Sequence, residues 1–288
     1  MLATDVDGTL LNDDGTLGEE NAGAVAMLIA HGVPVTLATG RTEATALPLA
    51  RTLGLRVPLV LYNGAVVATP QGRVLRQTRL APEAVDQAIE LAARVGLQGF
   101  VYLSCGLVPV LGAEALAGHL LPEDRSRLLD GLAPWAREGG AIKVLWLGAP
   151  QACDVFVERA QELRAVLRVI RSGPECVEVL APGVSKASGL AHVLAMLGLR
   201  AGEMVAVGNA ENDLEMLRMA GAGVAVASAE PAVIRQARYV APAHTQAGVA
   251  AVARRFFPHL PWGAELCGTQ PGAGGHAAPR PAPCSQPA

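Results

Sequence analysis

Met1-Leu2-Ala3-Thr4-Asp5-Val6-Asp7-Gly8-Thr9-Leu10-Leu11 opens the chain with a short apolar run that stops at an aspartate. Two carboxylates one residue apart, on a turn that contains glycine, can serve as a nucleophile and as an acid/base. Val6 between them packs inward, Gly8 permits tight backbone geometry, and Thr9 can cap or bond the turn. Taken alone, the stretch reads equally as an Asx-rich turn between a strand and a helix. A calcium loop of the EF-hand kind is excluded, because no glutamate falls at its twelfth position.

Outward from this turn the sequence alternates. Residues 19–31 read as a helix with Ala22, Val25, Ala26, Ile29 and Ala30 on one face and Gly32 as its stop. Residues 33–38 form a continuous apolar run, the mark of a strand buried on both faces. Residues 41–53 read as a second helix and 59–62 as a third buried strand. This order implies a parallel sheet with right-handed crossovers, hence an α/β protein with a doubly wound core.

Residues 66–80 read as a hairpin about Pro70-Gln71-Gly72. A helix over 82–95 and strand-like pieces at 100–103, 141–147 and 176–180 suggest an inserted α+β unit of small-domain size. The parallel rhythm returns after Gly183: helix 186–197, strand 204–207, helix 214–220, strand 223–226 and helix 230–236, with residues 249–257 closing the fold. The expected division is a discontinuous core (1–80 and 183–260), an inserted unit (81–182) and a Pro-, Gly- and Ala-rich tail (261–288). The tail has too few branched apolar residues to offset its ordering entropy and is expected to be disordered.

Polar clusters follow the proposed strands: residues 5–9, Thr39-Gly40-Arg41, Asn63-Gly64, Ser185-Lys186, and Gly208-Asn209-Ala210-Glu211-Asn212-Asp213. In an open parallel sheet the carboxyl ends of the strands share one edge, where ligands bind, so distant residues arrive at one rim. Thr39-Gly40-Arg41 offers a hydroxyl, backbone amides and a guanidinium, which suits a phosphoryl group. Alone it is also an ordinary Thr N-cap, and Asn63-Gly64 alone is a turn. Arginine fills 21 of the 23 basic positions, the exceptions being Lys143 and Lys186. A lysine at a strand-to-helix junction in such a chain points to a compact ammonium that binds phosphate as a point charge. Lys143 is equally rare but belongs to no motif. Asn209, Asn212 and Asp213 are oxygen donors that suit Mg²⁺, or alternatively cap a helix.

In order and spacing these motifs resemble the haloacid dehalogenase superfamily, and most closely its Cof-type hydrolases with a type IIB cap. The resemblance carries Asp5 to Leu11, Thr39-Gly40-Arg41, Asn63-Gly64-Ala65, Gly183 to Lys186 and Asn212-Asp213, and covers about residues 1–257. It implies a Mg²⁺-dependent phosphatase in which Asp5 attacks phosphorus and Asp7 is the acid and base. Thr39 and Lys186 would hold phosphoryl oxygens, while Gly40, Arg41, Asn63, Gly64 and Asn212 would lie at the substrate. The metal set implied is Asp5, the Asp7 backbone carbonyl, Asn209 and Asp213. The family usually carries aspartate where this chain has Asn209, which weakens the expected metal site. Only four residues precede Asp5, so the first strand is expected to be short or the natural start to lie upstream.

The expected partner is a small phosphomonoester. A formal net charge of −3 gives no basic field for nucleic acid or an anionic membrane. The five cysteines have no metal-ligand or C-x-x-C spacing, and no leader precedes Asp5, so a cytoplasmic location is expected. No apolar run approaches the roughly 18 residues of a membrane span. Two other readings stand beside the phosphatase: a phosphotransferase similar to phosphomannomutases, which share this core and cap type, and a non-catalytic ligand-binding relative, motivated by Asn209.

Overall fold

A computed structural model describes residues 1–129, 135, 137 and 139–262. The tail expected over 261–288 therefore lies, from residue 263 on, outside the described residues. The first strands are β1 (Leu2–Thr4), β2 (Val35–Leu37) and β3 (Leu59–Leu61), short segments buried along their whole length. Between them run helices α1 (Glu19–Ala30) and α2 (Glu43–Thr52). Next come the hairpin strands β4 (Val66–Ala68) and β5 (Val74–Gln77), and helix α3 (Pro82–Val95).

The expected helix over 41–53 begins later. Thr42, with extended backbone, is its N-cap, and Arg41 stays in the loop, free to turn back toward the first motif.

Strands β6 (Gln98–Tyr102), β7 (Leu107–Val110), β8 (Lys143–Leu147), β9 (Arg168–Gly173) and β10 (Cys176–Leu180) form a sheet of their own. Its order is β7-β6-β8-β10-β9, antiparallel throughout. Helix α4 (Pro122–Arg125) is a single turn, whereas α5 (Pro150–Arg159) packs with α3 beside this sheet. Helix α3 buries Ala84, Val85, Ala88, Leu91 and Ala92, one face at helical spacing.

The chain then returns through α6 (Lys186–Leu197), β11 (Val205–Gly208), α7 (Leu214–Met219), β12 (Ala222–Val226), α8 (Pro231–Gln236), β13 (Tyr239–Ala241) and α9 (Gly248–Phe256). The core sheet has the order β13-β12-β11-β1-β2, all parallel. It continues into β3-β4-β5 through a parallel bridge between Ala38 and Val60. Helix pairs α1/α9 and α6/α7 cover it, the arrangement that lets β1, β2, β11 and β12 be apolar on both faces. Among the described residues no helix is long and apolar enough to cross a membrane.

One close approach fixes the geometry of the site. Gly64 has φ +104°, and a Cβ there would sit 2.0 Å from the Ser185 carbonyl oxygen, just ahead of α6. Gly64→Ala is expected to cost about 3 kcal/mol, combining left-handed strain with a backbone clash. Urea unfolding of the two proteins measures this; a loss within experimental error would mean the loop moves aside freely.

Candidate active site

Asp5 follows β1 directly, and its amide donates to the Val207 carbonyl on β11 (2.9 Å), which seats it at the carboxyl edge of the core sheet. Lys186 is the first residue of α6. Its placement is set by a capping box: the Ser185 hydroxyl accepts from the Ser188 amide (3.1 Å), and the Ser188 hydroxyl accepts from the Ser185 amide (2.9 Å). The Lys186 ammonium donates to Asp5 Oδ1 and to Asp213 Oδ1, each at 2.7 Å. All three side chains are buried, with exposures of 1% for Lys186, 7% for Asp5 and 0% for Asp213. The other oxygen of Asp213 accepts the Asn209 and Ala210 amides (2.8 and 3.1 Å).

Two acids sharing one ammonium leave an excess negative charge in a dry floor. Burial therefore pushes the Asp5 carboxyl up to about 7, with Lys186 opposing and Asp213 adding to the rise. Burial works against the Lys186 charge as well, but its two carboxylates outweigh it and hold the ammonium protonated.

Above this floor lies a cleft of about 330 Å³ lined by Asp5, Asp7, Thr39, Gly40, Arg41, Asn63, Asn209 and Asn212, among others. Arg41 grips Asp7 with Nε on Oδ2 (3.0 Å) and Nη2 on Oδ1 (2.6 Å). The Thr39 hydroxyl oxygen accepts the Arg41 amide (3.1 Å). Asn63 sits in left-handed backbone (φ 54°) and accepts from the Asn212 amide nitrogen (3.0 Å). Lys186 and Asp213 lie beneath the cleft wall rather than in it. Gly64 is not among the residues that line the cleft, and a Cβ there would meet the Ser185 backbone.

The sequence reading missed the wall built by the second sheet. Lys143, on β8, is buried and donates to the Gly40 carbonyl and to Glu178 Oε1, both at 3.1 Å. Its ammonium lies 4.8 Å from the centre of the Tyr102 ring. Glu178, on β10, also accepts from the Asn63 amide nitrogen (2.7 Å). Asp124, at the end of the inserted segment's single-turn helix, accepts from the Thr42 hydroxyl (2.6 Å). The one signal that pointed here was the rarity of lysine: both lysines of the chain serve this site, one beneath the floor and one in the wall.

The donor chemistry fits a hard divalent cation. Among the described residues no cluster of three His, Cys, Asp or Glu side chains is arranged for a metal. A mixed set is present instead. In the orientation that satisfies its neighbours, the Asn209 amide nitrogen donates to Asp5 Oδ2 (3.1 Å), the Asp7 carbonyl (3.3 Å) and the Thr9 hydroxyl (3.0 Å). Turned over, its oxygen would stand beside Asp5 Oδ2 and the Asp7 carbonyl, oxygen donors of the kind a hard divalent cation such as Mg²⁺ takes. Gly8 makes this approach possible, since its φ is +70° and a Cβ would lie 2.5 Å from the Asn209 amide. Asp213 has Lys186 on one oxygen and two backbone amides on the other.

Two measurements follow. Lys186→Met leaves two buried carboxylates without their counterion and is expected to cost about 3–5 kcal/mol in urea unfolding. Because burial already raises Asp5 from 3.8 to about 7, its neutral form is the better tolerated. The stability tied to that form is lost as pH rises, so the loss should be larger at pH 8 than at pH 5. Asn209→Asp replaces a neutral oxygen by a charged one and should tighten Mg²⁺ binding about tenfold in calorimetric titration; coincident isotherms would remove Asn209 from the metal set.

Comparison with known proteins gives the site its family. A model of haloacid dehalogenase-like hydrolases matches residues 2–252. The chain is 29% identical, over 258 residues, to the Bacillus subtilis (strain 168) 5-amino-6-(5-phospho-D-ribitylamino)uracil phosphatase YcsE, covering 89% of this chain and 95% of that one. It is 30% identical over 239 residues to the HMP-PP phosphatase of Serratia proteamaculans (strain 568), covering 80% and 85%. Its fold matches the crystal structure of a haloacid dehalogenase-like hydrolase from Bacteroides thetaiotaomicron, with TM-score 0.74 and 25% identity, over 88% of this chain and 98% of that one. The chain belongs to the haloacid dehalogenase-like hydrolases and, within them, to the Cof-type phosphatases.

Proposed function

We propose that this chain is a cytoplasmic, Mg²⁺-dependent phosphatase that hydrolyses a small phosphorylated metabolite through an aspartyl-phosphate on Asp5. The observation that carries the reading is the buried Asp5 carboxylate at the cleft floor, fixed by Lys186 and two residues from Asp7. The printed names of the two relatives, both phosphatases, support a small phosphorylated substrate. We further take the unit over 81–182 as a cap that closes one side of the site.

In this reading the Asp5 carboxylate attacks phosphorus and the ester P–O bond breaks. Asp7 gives its proton to the departing oxygen, then takes one from the water that attacks the aspartyl-phosphate. Inorganic phosphate leaves and Asp5 is restored. Arg41, now clamped on Asp7, would shift toward an incoming phosphoryl oxygen and free Asp7 for its proton transfers. Thr39, at the cleft wall, and Lys186, behind Asp5, would order phosphoryl oxygens and hold the nucleophile in place. Mg²⁺, held by Asp5, the Asp7 carbonyl and Asn209, would neutralise the charge that phosphate and carboxylate bring together.

Asp5→Asn tests the mechanism. The change is nearly isosteric, so the melting temperature should change little, while p-nitrophenyl phosphate hydrolysis should fall by about 10³-fold or more. An acid-quenched digest of the natural protein should carry a phosphoryl group on the peptide containing Asp5. Full activity of the variant would sink the covalent reading.

A further inference from the structure

The cleft wall has a charge balance that bears on what the phosphoryl group can be attached to. The described residues lining it include four carboxylates, Asp5, Asp7, Asp124 and Glu178, and two permanent cations, Arg41 and Lys143. Both cations are consumed. Arg41 has both oxygens of Asp7, and Lys143 is paired with Glu178 and the Gly40 carbonyl. His119 adds a single imidazole. Releasing Arg41 to the phosphoryl group would still leave the far wall, where Lys143, Glu178 and Asp124 stand, without a spare positive charge.

The unsatisfied hydrogen-bonding capacity points the same way. Asn212 lines the cleft; its amide nitrogen donates to Asn63, and its Oδ1 is buried with no partner. Asp124, also on the lining, uses one oxygen on the Thr42 hydroxyl, and its second oxygen, which is not sealed from solvent, accepts no hydrogen bond among the described residues. Both are acceptors. An orphaned buried acceptor gains from a ligand that brings an O–H or N–H, and loses further from one that brings another acceptor.

We propose that the cleft selects phosphomonoesters whose leaving group is uncharged or cationic and rich in hydroxyl or amino donors, and rejects those with a second anionic group, with Glu178 and Asp124 setting the choice. The inference rests on the phosphatase reading. It also weighs against a mutase, whose bisphosphate intermediate would need a free cation at the far wall.

The test uses three six-carbon probes that share a 6-phosphate: glucose 6-phosphate, glucosamine 6-phosphate and 6-phosphogluconate. Each is measured with Mg²⁺ as a competitor of p-nitrophenyl phosphate hydrolysis, which yields an inhibition constant whether or not the probe is itself cleaved. The carboxylate probe should bind about tenfold more weakly than the neutral sugar, and the ammonium probe at least as tightly as it. Glu178→Gln releases Lys143 from its partner and should bring the carboxylate-to-neutral ratio to about one or below. Asp124→Asn keeps an oxygen for Thr42, is the milder change, and should shrink the same ratio by a smaller factor should Glu178→Gln fail to fold. Equal constants for all three probes in the natural protein, or a ratio that neither variant moves, overturns the inference and leaves the phosphatase reading standing. No release of phosphate from p-nitrophenyl phosphate would overturn that reading and the inference together.

Discussion

The ammonium of Lys186, shared at 2.7 Å between Asp5 and Asp213, is the constraint around which the site is arranged. The three groups come from a strand end, a helix start and a loop that are far apart in sequence, and all three are buried, Asp5 alone reaching the cleft. Two carboxylates could not remain in such a floor without the cation, nor the cation without them. Several backbone features exist to place it: the Ser185–Ser188 capping box that sets the first turn of α6, the glycine at 64 that lets the preceding loop close on Ser185, and the Asn209 and Ala210 amides that fix Asp213. A lysine in the first turn of a helix works against the helix dipole, so its position is explained by the carboxylates alone.

A second polar network ties the inserted sheet to this floor. Asn212 donates to Asn63, Asn63 donates to Glu178, and Lys143 donates both to Glu178 and to the Gly40 carbonyl. Two residues of the chain between β3 and β4, Tyr62 and Asn63, hold left-handed backbone (φ 49° and 54°), a conformation that asparagine tolerates and tyrosine rarely adopts. That strain turns the Asn63 side chain into the cleft, where it is met by groups from both sheets. The outcome is a wall whose two cations are each paired with a carboxylate, so that its character toward a ligand comes from what is left over: hydrogen-bond acceptors, Asp124 among them.

Asn209 illustrates how a single amide can serve two geometries. A carboxylate there would crowd a second carboxylate against Asp5 and the Asp7 carbonyl oxygen, whereas an amide can present its nitrogen to those acceptors. The same side chain, turned over, presents oxygen. The substitution thus lessens the electrostatic cost of the site in the absence of a countercharge and lowers the charge it can offer a cation.

Much of this was legible from residue order. The apolar runs around residues 2–4, 35–37, 59–61 and 205–208 mark strands buried on both faces, and a parallel sheet must bring the polar residues that follow them to one edge. Helices α3 and α6 and strand β10 lie where periodicity put them, because each has one dominant apolar pattern. Strands β7, β9 and β13 were not read. They are edge strands carrying Pro109, Arg168 and Arg171, or only three residues, and they are specified by pairing with neighbours rather than by their own pattern. The sequence by itself therefore determined the central strands of the core sheet, though not its edge strand β13, and the order of the polar clusters that follow them. Tertiary structure alone decided that Lys143, Glu178 and Asp124 face them, since antiparallel strands from a separate sheet carry no local signal of what they will cover, and that Gly64 packs while Asn63 points inward, since that choice is made by contact with Ser185.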